Sequence, residues 1–375
     1  MSPRVRSLWL LGHRWIGLTL GLLIALIGVS GSLIVFEDAL DERLNADLHL
    51  VKPGTEALAF AGLAAAAATA HPDKNVLFLL REDDRPERTV YAMMAPKDRA
   101  LAATQGRTQV FLNPYTGDHL GSRPERTWLG AVHAFHGEFL AGPVGETIVG
   151  TLALVLVVSL IGGLVLWWPG TGGWVRALTV KTDGGPRRVL RDLHNVFGAY
   201  GFVVLFACSL TALPLIWPDQ TRVVLSAVLG DPPVAERPRT STPSEDGARI
   251  TLGEAAAIGA AEVPGRWINL ALQAFGPRGF YMIRMMPPNE TAMSESVTVF
   301  IDQYSGAVLD VSAPKQNHIV DALASDFSGT IHNGSILGLP GRWFVFTAGL
   351  AFPVLFVTGF WLWYRRGRRE PNETG

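Results

Sequence analysis

Four stretches of this chain, residues 16–36, 148–168, 196–217 and 343–364, carry no charged side chain and are each 21 or 22 residues long. A helix of that length rises about 32 Å, close to the roughly 30 Å hydrocarbon core of a bilayer. A backbone that crosses lipid must satisfy its own hydrogen bonds, so such runs are expected to fold as transmembrane helices. The remaining composition agrees: of 375 residues, 48% are hydrophobic and 17% charged, with a formal net charge of −1. Such a chain is too apolar for disorder and too evenly charged for nucleic-acid binding. The first run follows Arg4 and Arg6 but outlasts the apolar region of a signal peptide and ends in no small-residue cleavage site, so it reads as a helix of the mature protein.

Two of the runs sit inside a repeat. Counting from His136, glycines follow at six, nine and twenty-seven residues (Gly142, Gly145, Gly163) and a tryptophan at thirty-one, Trp167. Counting from His332, the same offsets reach Gly338, Gly341, Gly359 and Trp363, 196 residues later. Four coincident landmarks after one alignment point to an internal duplication. The other two runs repeat more weakly. His13 is followed by Gly17 and Gly21, and His194 by Gly198 and, one position out of register, Gly201. Ser30-Gly31 and Thr211-Ala212 share offsets of seventeen and eighteen from those two histidines. Each half is thus ordered as inner histidine, span, outer segment, outer histidine, span.

Basic residues set the expected orientation. Arg4, Arg6 and Arg14 at the start, Arg176, Lys181, Arg187, Arg188 and Arg191 in the middle, and Arg365, Arg366, Arg368 and Arg369 at the end flank the spans and belong on the cytoplasmic side. The layout is then helix 1 over 1–36, an outward lobe over 37–147, helix 2 over 148–168, a cytoplasmic loop over 169–193, helix 3 over 194–217, a second lobe over 218–342, helix 4 over 343–364 and a tail over 365–375. Both termini are cytoplasmic. The lobes read alike, each with a helix (58–70 and 252–262) followed by three strands (75–81, 89–95 and 109–113; 268–275, 279–286 and 297–302). ProTyrThrGly and GlnTyrSerGly turns then place Tyr115 and Tyr304 equivalently. The expected fold class is an α-helical membrane protein, a four-helix transmembrane bundle with two α+β lobes, internally duplicated. Residues 231–249, Pro-rich and charged, read as a linker.

Ionisable groups at membrane depth are costly and mark function. His13 and His194 belong at the inner surface, His136 and His332 at the outer, about one turn inside their spans. A neutral imidazole is a ligand for haem iron, and a pair on facing helices can hold the ring in a bundle core. His13 with His194 is therefore the candidate inner iron site, and His136 with His332 the outer one. His133 lies three residues before His136 on the same helical face and can serve instead of it, or as its support. Gly17, Gly21, Gly198 and Gly201 remove bulk where a flat macrocycle approaches the backbone. Arg14, Arg191 and Arg342 suit the charge of two propionates.

Plainer readings stand beside these. A lone interfacial histidine is as often bonded to a carbonyl as to a metal, yet duplication explains the copying without explaining why histidine was copied. Gly28, Gly31, Gly162 and Gly163 read as helix-packing positions. Trp167, Trp168, Trp217, Trp361 and Trp363 read as an interfacial belt, and Met282, Met285, Met286 and Met293 as core filling. His49, His71, His119 and His318 read as ordinary surface residues. The one cysteine, Cys208, excludes an intrachain disulfide and CxxCH haem attachment. GlyThrGlyGly at 170–173 follows a span rather than a strand, so no nucleotide fingerprint is present and electrons must come from a separate cytoplasmic reductase or a membrane quinol. No nucleophile with a positioned base stands out for a hydrolase.

At LeuGlyHisArgTrpIleGlyLeu (11–18), AsnProTyrThrGlyAspHisLeuGly (113–121), ArgAspLeuHisAsnValPheGly (191–198), IleAspGlnTyrSerGly (301–306) and IleHisAsnGlySerIleLeuGlyLeuProGlyArg (331–342) the chain resembles the PepSY-associated transmembrane proteins. Among these it is most similar to inner-membrane ferric-siderophore reductases. The resemblance implies a bundle holding two b-type haems on His13, His194, His136 and His332, with PepSY-like lobes in the periplasm. It also implies reduction of a periplasmic Fe(III)-siderophore to Fe(II), which hard oxygen ligands hold less tightly. Trp267, Tyr281 and Arg284 are candidates for the docking surface. Where the second copy reads GlyLeuProGlyArg (338–342), the first reads GlyProValGlyGlu (142–146), so an arginine near the outer site occurs once. Two other expectations compete: a non-catalytic membrane module whose lobes bind a peptide, protease or transporter partner, and a haem protein that serves another periplasmic acceptor.

Overall fold

The computed structural model describes residues 2–82, 85–98, 106–170, 172–230, 239–244, 247–273, 276–287, 296–312, 319–324 and 326–365. In chain order the elements are α1 (Pro3–Thr19), α2 (Gly21–Ile34), α3 (Glu37–Leu44), α4 (Ala46–His49), α5 (Phe60–Ala70), β1 (Lys74–Leu80), β2 (Val90–Pro96), β3 (Thr108–Leu112) and β4 (His119–Pro124). There follow α6 (Trp128–Glu138), α7 (Gly142–Trp167), α8 (Trp174–Ala177), α9 (Pro186–Ile216), α10 (Pro218–Leu229) and α11 (Leu252–Glu262). The chain closes with β5 (Trp267–Gln273), β6 (Phe280–Met286), β7 (Val297–Asp302), β8 (Val308–Ser312), α12 (Ile319–Ala324), α13 (Asp326–His332) and α14 (Gly338–Tyr364). It divides into a helical unit (1–37, 128–230 and 320–375) and a sheet unit (38–127 and 231–319).

In the helical unit, α7 and α9, and α14 with the 3₁₀ turn before it, are long and apolar enough to cross a membrane. A fourth span exists if α1 and α2 count as one, but they meet at 66°. The expected straight helix over 16–36 is thus corrected to a helix broken at Leu20. Glycine after the break lets α2 close on α14, because a Cβ at Gly21 would lie 2.8 Å from the Phe356 ring. The spans also begin earlier than the uncharged runs, since charge at a helix end costs nothing once it reaches water. The outer boundaries differ too: α6, α10 and α13, expected inside the lobes at 37–147 and 218–342, belong to the helical unit. His136 and His332 therefore lie on short helices before the spans, not one turn inside them.

Between α6 and α7 the chain turns through Phe139 and Leu140, both left-handed at φ 48° and 59°. The residues after His332 make their corresponding turn with glycine, Gly334 at φ 77°. Leu140 is 62% exposed and packs little. Leu140→Gly is expected to raise stability by about 1 kcal/mol, read as a higher midpoint of thermal unfolding in detergent.

The sheet unit corrects the expectation of two separate lobes. Its eight strands form one antiparallel sheet in the order β4-β3-β2-β1-β5-β6-β7-β8. The halves join where Phe78, Leu79 and Leu80 pair with Leu272, Ala271 and Leu270. Each half is a helix followed by four strands, one more than the sequence pattern showed. The added strands β4 and β8 are half-exposed edge strands without a clean apolar alternation. Helices α5 and α11 cover one face, burying Phe60, Leu63, Ala67, Leu252, Ala255 and Ala256 against Leu79, Ala92, Tyr281, Ile283, Val299 and Ile301. They touch closely, because a Cβ on Gly253 would meet that of Ala61 at 2.6 Å. A capping box between Thr251 and Glu254 starts α11. The two tyrosines of the turns do the same work: Tyr115 donates its hydroxyl proton to the Pro86 carbonyl at 2.7 Å and Tyr304 to that of Pro277 at 3.0 Å. Met285 and Met286 fill the core as expected, whereas Met293 lies outside the described residues.

His49 is another correction, since it is buried rather than on the surface. Its Nε2–H donates to Asp41 at 2.9 Å, and Arg123 grips both oxygens of the same carboxylate. Burial holds the His49 imidazole below the usual histidine range even though Asp41 pulls the other way. Below about pH 6.5 the unfolded chain therefore takes up a proton that folded His49 resists, and stability falls as pH drops through that window. Unfolding measured at pH 7.5 and 5.5 should show a smaller acid loss in His49→Gln than in the unaltered protein.

Candidate functional site

The helical unit brings the four expected histidines together in two pairs. The ring centres of His13 on α1 and His194 on α9 lie 6.2 Å apart, and those of His136 on α6 and His332 on α13 lie 6.1 Å apart. A metal held between two imidazole nitrogens at about 2 Å each leaves ring centres roughly 6 Å apart. His133 does not share this geometry: it is 63% exposed and its Nδ1 lies 2.7 Å from Glu37.

Each paired ring is seated against another helix by its Nδ1. His13 lies 2.9 Å from the Ser159 carbonyl, His136 2.9 Å from that of Ile27, and His332 2.9 Å from that of Cys208. A carbonyl only accepts, so Nδ1 carries a proton in all three, and in the neutral ring Nε2 keeps its lone pair. His194 reaches the same state through Thr358, 3.0 Å away. That hydroxyl already donates its one proton to the Val354 carbonyl at 2.6 Å, so it must accept from the imidazole. The Leu355 carbonyl lies beside the same hydroxyl, 3.2 Å from it. None of the four Nε2 atoms has a hydrogen-bond partner among the described residues.

The seats share a pattern: a carbonyl, a hydroxyl three residues on in three of the four, and a small residue four on. On α2 these are Ile27, Ser30 and Gly31; on α9, Cys208, Thr211 and Ala212; on α14, Leu355, Thr358 and Gly359. On α7, Ser159 supplies both carbonyl and hydroxyl, followed by Gly163. A Cβ at Gly31 would lie 2.6 Å from His136 Cε1, one at Gly163 3.1 Å from His13, and one at Gly359 3.3 Å from His194. Gly31 and Gly163, expected to pack helices, thus seat histidines. Gly28 and Gly162 do pack helices, against the rings of Phe352 and Trp9.

Every repeat landmark now has a physical role. Gly142 and Gly338 adopt φ of 58° and 63° where the spans begin. Gly145 and Gly341 pass under the carbonyls of Glu138 and Gly334, where a side chain has no room. Gly163 and Gly359 seat the inner histidines, and Trp167 and Trp363 line the cavity that those histidines share.

That cavity, about 460 Å³, is also lined by Gly17, Gly21, Gly198, Arg6, Arg14, Arg187 and Arg191. Its size suits a cofactor. The Nε of Arg14, which lines the same cavity, is buried and has no hydrogen-bond partner among the described residues. Arg342 lies half-buried at the start of the second turn of α14. Arg6 and Arg187 were missed in the sequence because nothing ties their positions to the histidine spacing. Tyr281 is corrected from the docking surface to the core: it is 2% exposed and its hydroxyl donates to the Ile250 carbonyl. His318 lies outside the described residues. No group of three or more His, Cys, Asp and Glu side chains suited to a metal ion is found among the described residues. Two imidazoles are the number that completes an iron already held by a macrocycle.

A chain with three or four spanning helices and an antiparallel sheet unit is a membrane protein. The family model of the PepSY-associated TM region matches residues 10–366, and the chain belongs to that family. No curated protein matches it. Among solved structures, a candidate lipoprotein from Clostridium difficile 630 aligns over 70% of this chain and 98% of its own, at 9% identity and a TM-score of 0.27, which is too low to carry an argument.

Gly31→Ala is expected to push the His136 ring off its seat and cost about 1–3 kcal/mol of stability. Gly12→Ala, with nothing within 4 Å of the added carbon, should be near neutral or mildly stabilising. Thermal unfolding of both variants in detergent measures the contrast.

Proposed function

We propose that the protein is a di-haem electron carrier of the bacterial inner membrane that reduces a periplasmic ferric siderophore. The supporting observation is the two pairs of neutral imidazoles, each with Nδ1 bonded away and ring centres about 6 Å apart. His13 and His194 would hold an inner b-type haem, and His136 and His332 an outer one, as the four spans of a bundle. The residues suit that group: Gly17 and Gly198 leave space that a larger side chain would fill, and Arg14 offers its unpaired Nε to a propionate. When bound, the two groups supply one-electron couples, matching the one electron needed to turn Fe(III) into Fe(II).

In this reading the chain segments 38–127 and 231–319, which follow the first and third spans in the sequence, share one compartment. The arginine clusters would then lie in the cytoplasm with both termini, leaving those segments in the periplasm. The electron donor would be a cytoplasmic reductase or a membrane quinol, since the sequence carries no nucleotide-binding fingerprint.

Purified protein should show a reducible b-haem spectrum with two haems per chain. His13→Ala with His194→Ala should remove one, and His136→Ala with His332→Ala the other. Gly17→Leu, which meets no protein atom at its Cβ, should leave the fold intact and lower inner-haem content severalfold. A folded, colourless protein would sink this reading and leave the partner-binding module standing. Turnover assays with several ferric chelates test the acceptor, because a carrier for another redox partner would reduce none above background.

A further inference from the structure

We infer that His71, His119 and Ser122 form a surface site for one divalent transition ion of the Zn²⁺, Ni²⁺ or Cu²⁺ class, independent of the haem reading. The three residues belong to the sheet unit. His71 ends α5, where its backbone N–H closes the helix on the Ala67 carbonyl. His119 and Ser122 lie on β4, three residues apart, and in a regular strand would point to opposite faces. A bulge prevents this: Phe111 pairs with Gly121 and Leu112 with His119, so Leu120 is the extra residue. The irregularity re-aims His119 onto the face of Ser122.

The result is convergence of two imidazoles on one point. His71 Nε2 lies 2.8 Å and His119 Nε2 2.7 Å from Ser122 Oγ, and the ring centres are 5.7 Å apart. A hydroxyl has one proton, so with both rings neutral one Nε2 accepts it and the other must donate its own. A metal replaces that compromise by taking both lone pairs at about 2.0–2.1 Å. Imidazole ligands favour borderline transition ions over Mg²⁺ or Ca²⁺, and water completes the coordination. A hydrolytic role for Ser122 is not supported, because no carboxylate bonds either Nδ1 among the described residues and both histidines share the one hydroxyl.

The test is calorimetric titration of the full-length, tag-free protein in detergent with Zn²⁺, repeated with Ni²⁺ and its visible absorption. One equivalent should bind at pH 7.5, weaken at least about tenfold in His71→Ala and in His119→Ala, and be released at pH 5.5. Ser122→Ala, which removes the hydroxyl but neither imidazole, should retain it. His71→Gln with His119→Gln keeps polar surface and guards against misfolding as the cause, with circular dichroism as the check. The site is overturned if the unaltered protein binds no such equivalent, or if the doubly substituted protein titrates identically.

Discussion

A neutral imidazole whose Nδ1–H is committed to a carbonyl has one nitrogen left, and that nitrogen is basic and aimed by the bond on its other side. In the helical unit this arrangement is made three times on a carbonyl and a fourth time on the Thr358 hydroxyl, and it ties neighbouring helices together. A carbonyl on a continuous helix is already bonded within that helix, so it can accept a second proton only if the ring comes very close. That is why the residue one turn beyond the seat is glycine or alanine. Ser30, Thr211 and Thr358 add a hydroxyl beside the carbonyl, steadying the ring and removing the choice of tautomer.

The seats also explain why the duplicated half is a unit. His13 rests on α7 and His136 on α2, both in the first half, while His194 rests on α14 and His332 on α9, both in the second. Each half clasps its own two histidines. The facing pairs, His13 with His194 and His136 with His332, are then made between halves. Ligand orientation is therefore internal to a half, and ligand pairing depends on how the halves meet. The proposed iron sites lie at that seam, which is where small residues such as Gly28 and Gly349 bring α2 and α14 into contact.

The sheet unit meets a related problem by a different route. Four strands and a helix leave an edge, and β1 of one half closes it by pairing with β5 of the other. Strand pairing is a property of backbones, so it leaves no mark on side-chain pattern. The outermost strands carry half-exposed faces, where burial no longer enforces alternation, and one of them bears the bulge that turns His119.

Length and lack of charge are local properties, and they determined the membrane runs at 148–168, 196–217 and 343–364 before any contact was known. Periodic spacing likewise marked His13, His136, His194 and His332 as a set, because duplication copies spacing faithfully. The break at Leu20 was hidden: hydropathy is blind to direction, and the bend comes from how α2 meets Phe356 on α14. The meeting of His136 with His332, the seating roles of Gly31 and Gly163, the burial of His49 and the meeting of His71 with His119 were decided only by tertiary structure. Each depends on a residue far along the chain approaching to within a few ångströms, and no local pattern encodes which distant carbonyl, hydroxyl or carboxylate will be there.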